Sequence, residues 1–468
     1  MQPNSIAQLK TMLDGMLVED DPALVRRKSR DFYWYSPVLK RLLDEVVGDV
    51  VVTPRNEAEV LRALAAAHAL DMPVTPRGAG TGNYGQAMPL AGGMVLDLHA
   101  MNAVGEIGPG YVVAEAGALL GRIDAATRAH SGQELRMFPS THRTASIGGF
   151  IAGGSGGVGS IRWGGLRNSG NVTRLRVATM EAKPRLLVLE GDEIAKVAHA
   201  YGTNGIITEC TVPLAPSYDW VEAIVAFDDL AKAAHFSDAL GREDGILLKE
   251  LAVMGPGLGR RYFSQHGRFL TGDQVSVLVM VAPHSVTAFA AFAARHGGAE
   301  VFRSDRLTDD ERKTLPPLFE LTWNHTTLVA RRVDPSLTYL QILYPYPDHL
   351  AAVATMGRLL GDEMIEHLEF IRFDGHVVCS GLPLIRFTTE ERLDAIIGLF
   401  EENGCLVFNP HRYTLEEGGM KRSDHGQLAF KREVDPKGLL NPGKMIAWDD
   451  PNFDFSSSRR YLFSQPAA

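Results

Sequence analysis

A chain of 468 residues, 45% of them hydrophobic, can bury more than one core, so two or three domains are expected. A formal net charge of −9 with no dense basic stripe excludes a nucleic-acid footprint, and cysteines only at 210, 379 and 405 exclude a disulfide framework or a cysteine-held cluster. No uninterrupted apolar run approaches the roughly 20 residues that span a bilayer, and the first 20 residues lack a signal-peptide pattern, so a cytoplasmic protein without a transmembrane segment is expected.

Residues 1–44 read as helices leading into the first domain, and the aromatic run 31–37 suits a strap packed across another surface. Val51, Val52 and Thr53 end a short strand. Asn56, with Glu59 three residues later, starts a helix over 57–70. A strand at 72–75 then delivers the chain into Pro76, Arg77, Gly78, Ala79, Gly80, Thr81, Gly82, Asn83, Tyr84, Gly85 and Gln86. Four glycines in eight residues let the backbone take positive φ and turn its N–H groups to one side, which suits a phosphate. Gly80, Gly82 and Gly85 also satisfy G-x-G-x-x-G, but Pro89, Gly92 and Gly93 argue against the helix that a dinucleotide fingerprint requires. The loop is expected to continue to a strand at 94–98.

A strand at 111–117 and a helix at 118–130 precede a second glycine-rich stretch, 138–157. It reads as a tight strand–turn assembly in which Gly148, Gly149 and Gly153 let backbone approach a flat ligand while Ser140, Thr144 and Ser146 offer hydroxyls. Ile206 and Ile207 read as buried strand. Beyond 218 the pattern is strand, helix, strand over 220–227, 230–240 and 246–254, with strands at 275–281 and 338–344 and helices at 286–295 and 349–360. That alternation predicts an antiparallel sheet covered by helices on one side, and an α+β class for the whole chain.

The two loops and their flanks resemble the FAD-binding domain of the vanillyl-alcohol oxidase and para-cresol methylhydroxylase superfamily. The resemblance is nearest the branch of glycolate oxidase subunits, D-lactate dehydrogenases and D-2-hydroxyglutarate dehydrogenases. It is carried by residues 53–90, by Pro139–Ser140 with 145–149, by Gly205, Ile206, Ile207 and Thr208, and by 435–445, almost identical to the family's terminal DPKGLLNPGK signature. It implies a lead-in over 1–44, a two-subdomain FAD-binding domain over 45–217, a substrate domain over 218–407, and a segment over 408–468 that folds back so that Asn441 and Lys444 reach the cofactor. Residues 76–83, Gly85, Gln86, Pro139, Ser140, Thr144, Ser146, Gly148, Gly149, Gly153 and Ile207 are the other implied FAD contacts. Thr81 stands where covalently flavinylated relatives place a histidine, so non-covalent FAD is expected.

A flavin accepts hydride itself, leaving the protein to supply a base and, for a hydroxy acid, a cation for the carboxylate. The resemblance places Arg331 or Arg332 in the carboxylate-binding segment; His325, between polar neighbours, is expected to face the flavin, and Arg386 is a second anion-binding candidate. Metal-dependent relatives carry H-x-G-D-G-N-x-H and S-x-E-H-G. Here those places hold 374–383 with His376 as the only histidine, and Thr414, Leu415, Glu416, Glu417, Gly418 and Gly419. No catalytic metal is therefore expected, although His376, His411, Glu416 and Glu417 could assemble a different site. His411 and Tyr413 become the expected base and its hydrogen-bonding partner, since histidine titrates near ~6.5. The function expected is FAD-dependent oxidation of the CH–OH group of a small 2-hydroxy acid, with oxygen, a quinone or a redox protein as acceptor, in a monomer or homodimer. Alternatives are a phenolic alcohol bound among Tyr33, Trp34, Trp323, Tyr344 and Tyr346, or a flavin-carrying electron-transfer subunit.

Overall fold

A computed structural model describes residues 3–418 and 425–455 of the chain; Gly419, which closes the second motif above, lies outside the described residues. Short valine-rich runs build the first sheet from β1 (Leu17–Glu19), β2 (Val50–Thr53), β3 (Val74–Arg77) and β4 (Met94–Asp97). Its order is β1-β2-β4-β3, with β2 and β3 both parallel to β4. Parallel strands need a long crossover, and the helix Glu57–Ala69 supplies it. Asn56 caps this helix by accepting from Glu59 N at 3.0 Å, while the Glu59 carboxylate reaches back to Arg55 N at 2.8 Å. The chain between β3 and β4 is loop, as Pro89, Gly92 and Gly93 predict.

The second sheet contains β5 (Val104–Gly108), β6 (Tyr111–Glu115), β7 (Gln133–Leu135), β8 (Arg174–Ala178), β9 (Leu186–Glu190) and β10 (Ile206–Pro216). Its order is β5-β6-β10-β8-β9, with β7 also on β10. The second glycine stretch differs from the strand–turn expectation, because Ile147–Gly153 is a helix. A Cβ on Gly148 would come within 2.6 Å of the Ala116 Cβ, so the missing side chain lets this helix lie directly against the end of β6.

The rest of the chain forms β11 (Val221–Phe227), β12 (Leu248–Met254), β13 (Val275–Val281), β14 (Ala299–Arg303), β15 (Leu337–Tyr339), β16 (Gln341–Leu343), β17 (Met364–Ile365), β18 (His367–Phe373), β19 (His376–Gly381), β20 (Leu384–Arg386) and β21 (Leu406–Phe408). Eight of these make an antiparallel sheet in the order β14-β11-β13-β12-β18-β19-β16-β21; β15, β20 and β17 form a small sheet of their own. The single strand expected over 338–344 is thus two strands in two sheets. Its partner is interrupted by Leu382 and Pro383, and a proline has no N–H to continue a ladder. Alternation along β11 sends Ala223, Val225 and Phe227 to one face and Ile224 and Ala226 to the other. The first face packs under the helices Leu230–Gly241, Val286–Arg295, His349–Leu360 and Glu390–Glu402 through Phe236, Phe289, Met356 and Phe400. The second meets Leu318, Leu321 and Ala330, which seats the helix Asn324–Val333 against it.

Two buried ion pairs fix these parts. Lys249 of β12 donates to Glu134 of β7 at 2.5 Å and to the Leu135 carbonyl at 3.0 Å, joining the large sheet to the second. Lys431 donates to Asp435 at 2.6 Å and to the Thr203 and Leu440 carbonyls, while Asp435 accepts from Leu439 N and Leu440 N. That arrangement lays Leu439 and Asn441 along β3, which exchanges backbone bonds of 2.8 Å with both. Among the described residues no helix is long and apolar enough to cross a membrane, and the three cysteines are free and buried.

Glu134→Ala leaves the Lys249 ammonium buried without its partner, so a loss of about 3–5 kcal/mol is expected. A thermal midpoint unchanged from the wild type would show that the pair does not join the two sheets.

Candidate functional site

The glycine loop between β3 and β4 is held from its sides and through its carbonyls. Phe32 N donates to Gly82 O at 2.7 Å, Lys444 Nζ to Gly85 O at 2.6 Å, and Asn441 Nδ2 to Gln86 O at 2.9 Å and to Tyr201 O at 2.7 Å. Ala87 N donates to Asp31 at 3.2 Å. The amides of Gly80, Thr81, Gly82 and Asn83, by contrast, donate to no group among the described residues. Gly80 takes a φ of 68°, and a Cβ there would lie 2.2 Å from the Arg77 guanidinium, so only glycine admits that cation beside the free amides. Consecutive unpaired N–H groups beside a cation suit a bound anion.

A cavity of about 220 Å³ runs from this loop along the second glycine stretch to the helix Asn324–Val333. Of the expected residues it is lined by 76–83, Gln86, Pro139, Ser140, Ser146, Gly148, Gly149, Gly153, Ile207 and His325. Ser146 joins the two loops, its hydroxyl accepting from Ala79 N at 3.3 Å. Gly85, Asn441 and Lys444 are not in the lining: they support the loop through its carbonyls. Thr144 is exposed, with its hydroxyl on the Thr141 carbonyl. Burial pushes the Asp31 carboxyl up and the Lys444 ammonium down, each shift opposed in part by the other's charge.

Trp323 precedes the helix with a φ of 51°, a strained conformation for so large a side chain. The strain turns Trp323 N to the Glu369 carboxylate at 2.7 Å and brings Trp323, Asn324, His325 and Leu328 into the cavity lining. Residues 325, 328 and 332 share one helix face. Arg332 is exposed there and makes no ion pair among the described residues. Burial lowers the His325 pKa, opposed by a hydrogen bond to the Glu320 carbonyl. At neutral pH the ring is therefore neutral and able to accept a proton.

The remaining expected site residues are elsewhere. His411 is buried with Nδ1 2.7 Å from the Ser36 hydroxyl and Nε2 3.0 Å from the Tyr339 carbonyl, and burial lowers its pKa to about 3. Both nitrogens are occupied and His411 is not in the cavity lining, whereas His325 is. Tyr413 packs among Tyr33, Leu39, Leu43 and Met88 with Lys444 over its ring. Arg331 donates to the Leu337 carbonyl, and Arg386 lies on the surface 3.4 Å from Asp334. Glu416 accepts from Ile446 N at 2.9 Å and Ala447 N at 3.0 Å, and among the described residues no group of three histidines, cysteines or carboxylates could hold a metal. Of the aromatic set expected for a phenol, only Trp323 lines the cavity. Tyr344 is in the core under the large sheet, and Tyr346 stacks on His376 at the surface. Phe32 and Tyr35 of the N-terminal strap take that place, with Tyr84, Tyr201 and Gln341. The aromatic run at 31–37 was the one sequence signal for them. Burial raises the Tyr35 pKa, opposed by the charges of Arg332 and Arg331.

Comparison with known proteins agrees with this geometry. Residues 48–184 match the FAD binding domain family. The chain is 32% identical to a D-lactate dehydrogenase of Archaeoglobus fulgidus, over 85% of this chain and 91% of that one. It is 29% identical to a glycolate oxidase subunit of Bacillus subtilis, over 86% and 89%. Over 211 residues it is 30% identical to an uncharacterised FAD-linked oxidoreductase of Mycobacterium tuberculosis, and spans only 43% of that protein. The fold matches a 4-ethylphenol oxidase from Gulosibacter chungangensis with a TM-score of 0.69 at 16% identity, covering 94% of this chain and 96% of that one. The cavity fits FAD: the free amides at 80–83 and Arg77 offer donors for a diphosphate, and the second glycine stretch lines the cavity beyond them.

Asn441→Ala releases the Gln86 and Tyr201 carbonyls without touching the cavity. We expect FAD affinity to fall tenfold or more, about 1.4 kcal/mol, measured by titrating apoprotein with FAD. Undiminished affinity would mean that the loop holds its shape without this support.

Proposed function

Because this chain belongs to the FAD-linked oxidoreductases of the vanillyl-alcohol oxidase and para-cresol methylhydroxylase type, we propose that it oxidises the CH–OH group of a small 2-hydroxy acid to the 2-oxo acid. The observation that carries this reading is the helix face on which a neutral His325 in the cavity wall stands two turns from an unpaired Arg332. FAD, when bound, supplies the hydride acceptor for the substrate C–H bond.

The chain's own residues account for the rest. The amides of Gly80, Thr81, Gly82 and Asn83, with Arg77, hold the diphosphate. Arg332 pairs with the substrate carboxylate, and the hydroxyl of Tyr35, a residue of the cavity lining, adds a donor beside it. The neutral ring of His325 accepts the hydroxyl proton. The C–H hydrogen leaves with its electron pair and the C–O bond becomes a carbonyl. Phe32, Tyr35, Trp323 and Leu328 keep water from the reacting carbon. Thr81, in the loop itself, cannot form a histidyl link to the flavin, so we read FAD as non-covalently held.

The aromatic residues in the cavity wall favour one second reading, a phenolic alcohol as substrate. Anaerobic bleaching of the yellow protein by D-lactate, glycolate or D-2-hydroxyglutarate supports the first reading; bleaching by 4-ethylphenol and not by any hydroxy acid replaces it with the second.

His325→Ala is expected to slow single-turnover flavin reduction by about 10²–10⁴-fold. Arg332→Ala should act mainly by raising KM. Since burial lowers the His325 pKa, the acid limb of the wild-type rate should begin only below ~6.5, as acidity protonates the ring. A rate already lost on going from pH ~8 to ~7 would contradict the assignment.

Acid precipitation should release the yellow colour into the supernatant. Colour retained in the pellet would mean a covalent bond at some residue other than Thr81.

A further inference from the structure

Directly behind Trp323, on the face of the large sheet turned toward the cavity, β12 and β18 bring two buried carboxyl groups together. Glu369 lies beside Ala252 in the strand register, and Glu250 is two residues along the same face. The two side chains are 4% and 1% exposed for Glu250 and Glu369, and the charge of Glu369 acts on Glu250. Glu369 Oε1 accepts from Trp323 N at 2.7 Å and from His367 Nε2 at 2.8 Å. Its other oxygen, Oε2, is buried with no donor while both carboxyls are ionised. A proton on Glu250 supplies that donor. Glu250 in turn faces the Trp323 indole N–H at 3.5 Å. The backbone and the ring of one strained residue therefore both end on this pair.

We propose that Glu250 and Glu369 are positioning residues of the active site: they hold one proton between them, and through it they fix Trp323 and the start of the helix that carries His325 against the cavity.

The surroundings leave the pair no other source of balance. From β18 the pair meets His367, whose pKa burial lowers to about 3, so it is a neutral donor. From β19 it meets Ser380, the register partner of Glu369, whose uncharged hydroxyl donates to the Ile342 carbonyl at 3.3 Å. From the Asn324–Val333 helix it meets the Thr326 hydroxyl, which donates to the Leu321 carbonyl and lies 3.5 Å from His367. Among the described residues no cation contacts either carboxylate. Burial raises both carboxyl pKa values, and the charge of Glu369 raises that of Glu250 further. A raised carboxyl pKa contributes stability below the unfolded carboxyl pKa and loses it as pH rises through the folded one. The ordered wall is thus a feature of the lower pH range. Loss of the shared proton places two neighbouring negative charges in a dry interior, and the Glu250 end must move.

The role in turnover rests on the substrate reading above, but the position of Trp323 does not, so two measurements separate them. In apoprotein, near-ultraviolet circular dichroism of wild type minus Trp323→Phe isolates the Trp323 signal. Between pH ~5 and ~9 it should follow a single one-proton transition, and E250Q, whose amide donates to Glu369 at every pH, should hold the low-pH signal throughout. In the FAD-loaded protein, E250Q should remove the alkaline limb of the flavin-reduction profile and leave the acid limb set by His325. A wild-type signal that does not titrate, or a transition that survives unchanged in E250Q, overturns the proposal. Intact apoprotein behaviour with no reduction by any hydroxy acid would instead count against the substrate reading alone.

Discussion

The architecture turns on four amides that must be left without partners. A loop that keeps the N–H groups of Gly80, Thr81, Gly82 and Asn83 free for a ligand forgoes the hydrogen bonds that would otherwise fix its shape, so the fixing is done through the opposite side of the peptide units. Gly82, Gly85 and Gln86 each give their carbonyl to a donor from another part of the chain: Phe32 from the N-terminal strap, and Lys444 and Asn441 from the C-terminal segment. The two ends of the chain are thereby committed to the same few residues, and the buried Lys431–Asp435 pair is what holds the C-terminal end in register with β3.

A second dependence follows from the alternation of side chains in the large sheet. One face is apolar and carries four helices. The other has to meet the cavity, and there the pattern admits Glu250, Glu369 and His367 among Ala252, Met254 and Leu278. Buried carboxyl groups are costly unless satisfied, and here one oxygen of each is met by the backbone and ring of Trp323. The helix that begins at Asn324 inherits its place from that contact. A neutral histidine facing the cavity and an exposed arginine two turns on are consequences of where the helix starts.

The N-terminal strap links the two. Its backbone holds the glycine loop, and its rings, Phe32 and Tyr35, line the cavity together with Leu328 and Trp323, with Tyr35 packed edge-on to Tyr339 of the small sheet. Ordering of the loop and lining of the cavity are therefore properties of one segment.

By itself the sequence determined what local chemistry determines. Glycine spacing marked the anion loop, proline and further glycines after it excluded a helix, Asn56 fixed a helix start, and the periodicity of 275–281, 286–295 and 349–360 set those elements to the residue. The loop residues in the cavity wall were legible for the same reason, since backbone freedom is written in the residue itself. Whether a polar side chain faces a cavity is not so written. His411 and His325 are alike as letters; only packing shows the first locked between Ser36 and Tyr339 and the second turned to the cavity. Glu250 and Glu369, 119 positions apart, look like ordinary strand carboxylates until the β12–β18 pairing brings them together. Burial, and the partner each buried group finds, are decided by contacts between distant parts of the chain, and those exist only in the folded molecule.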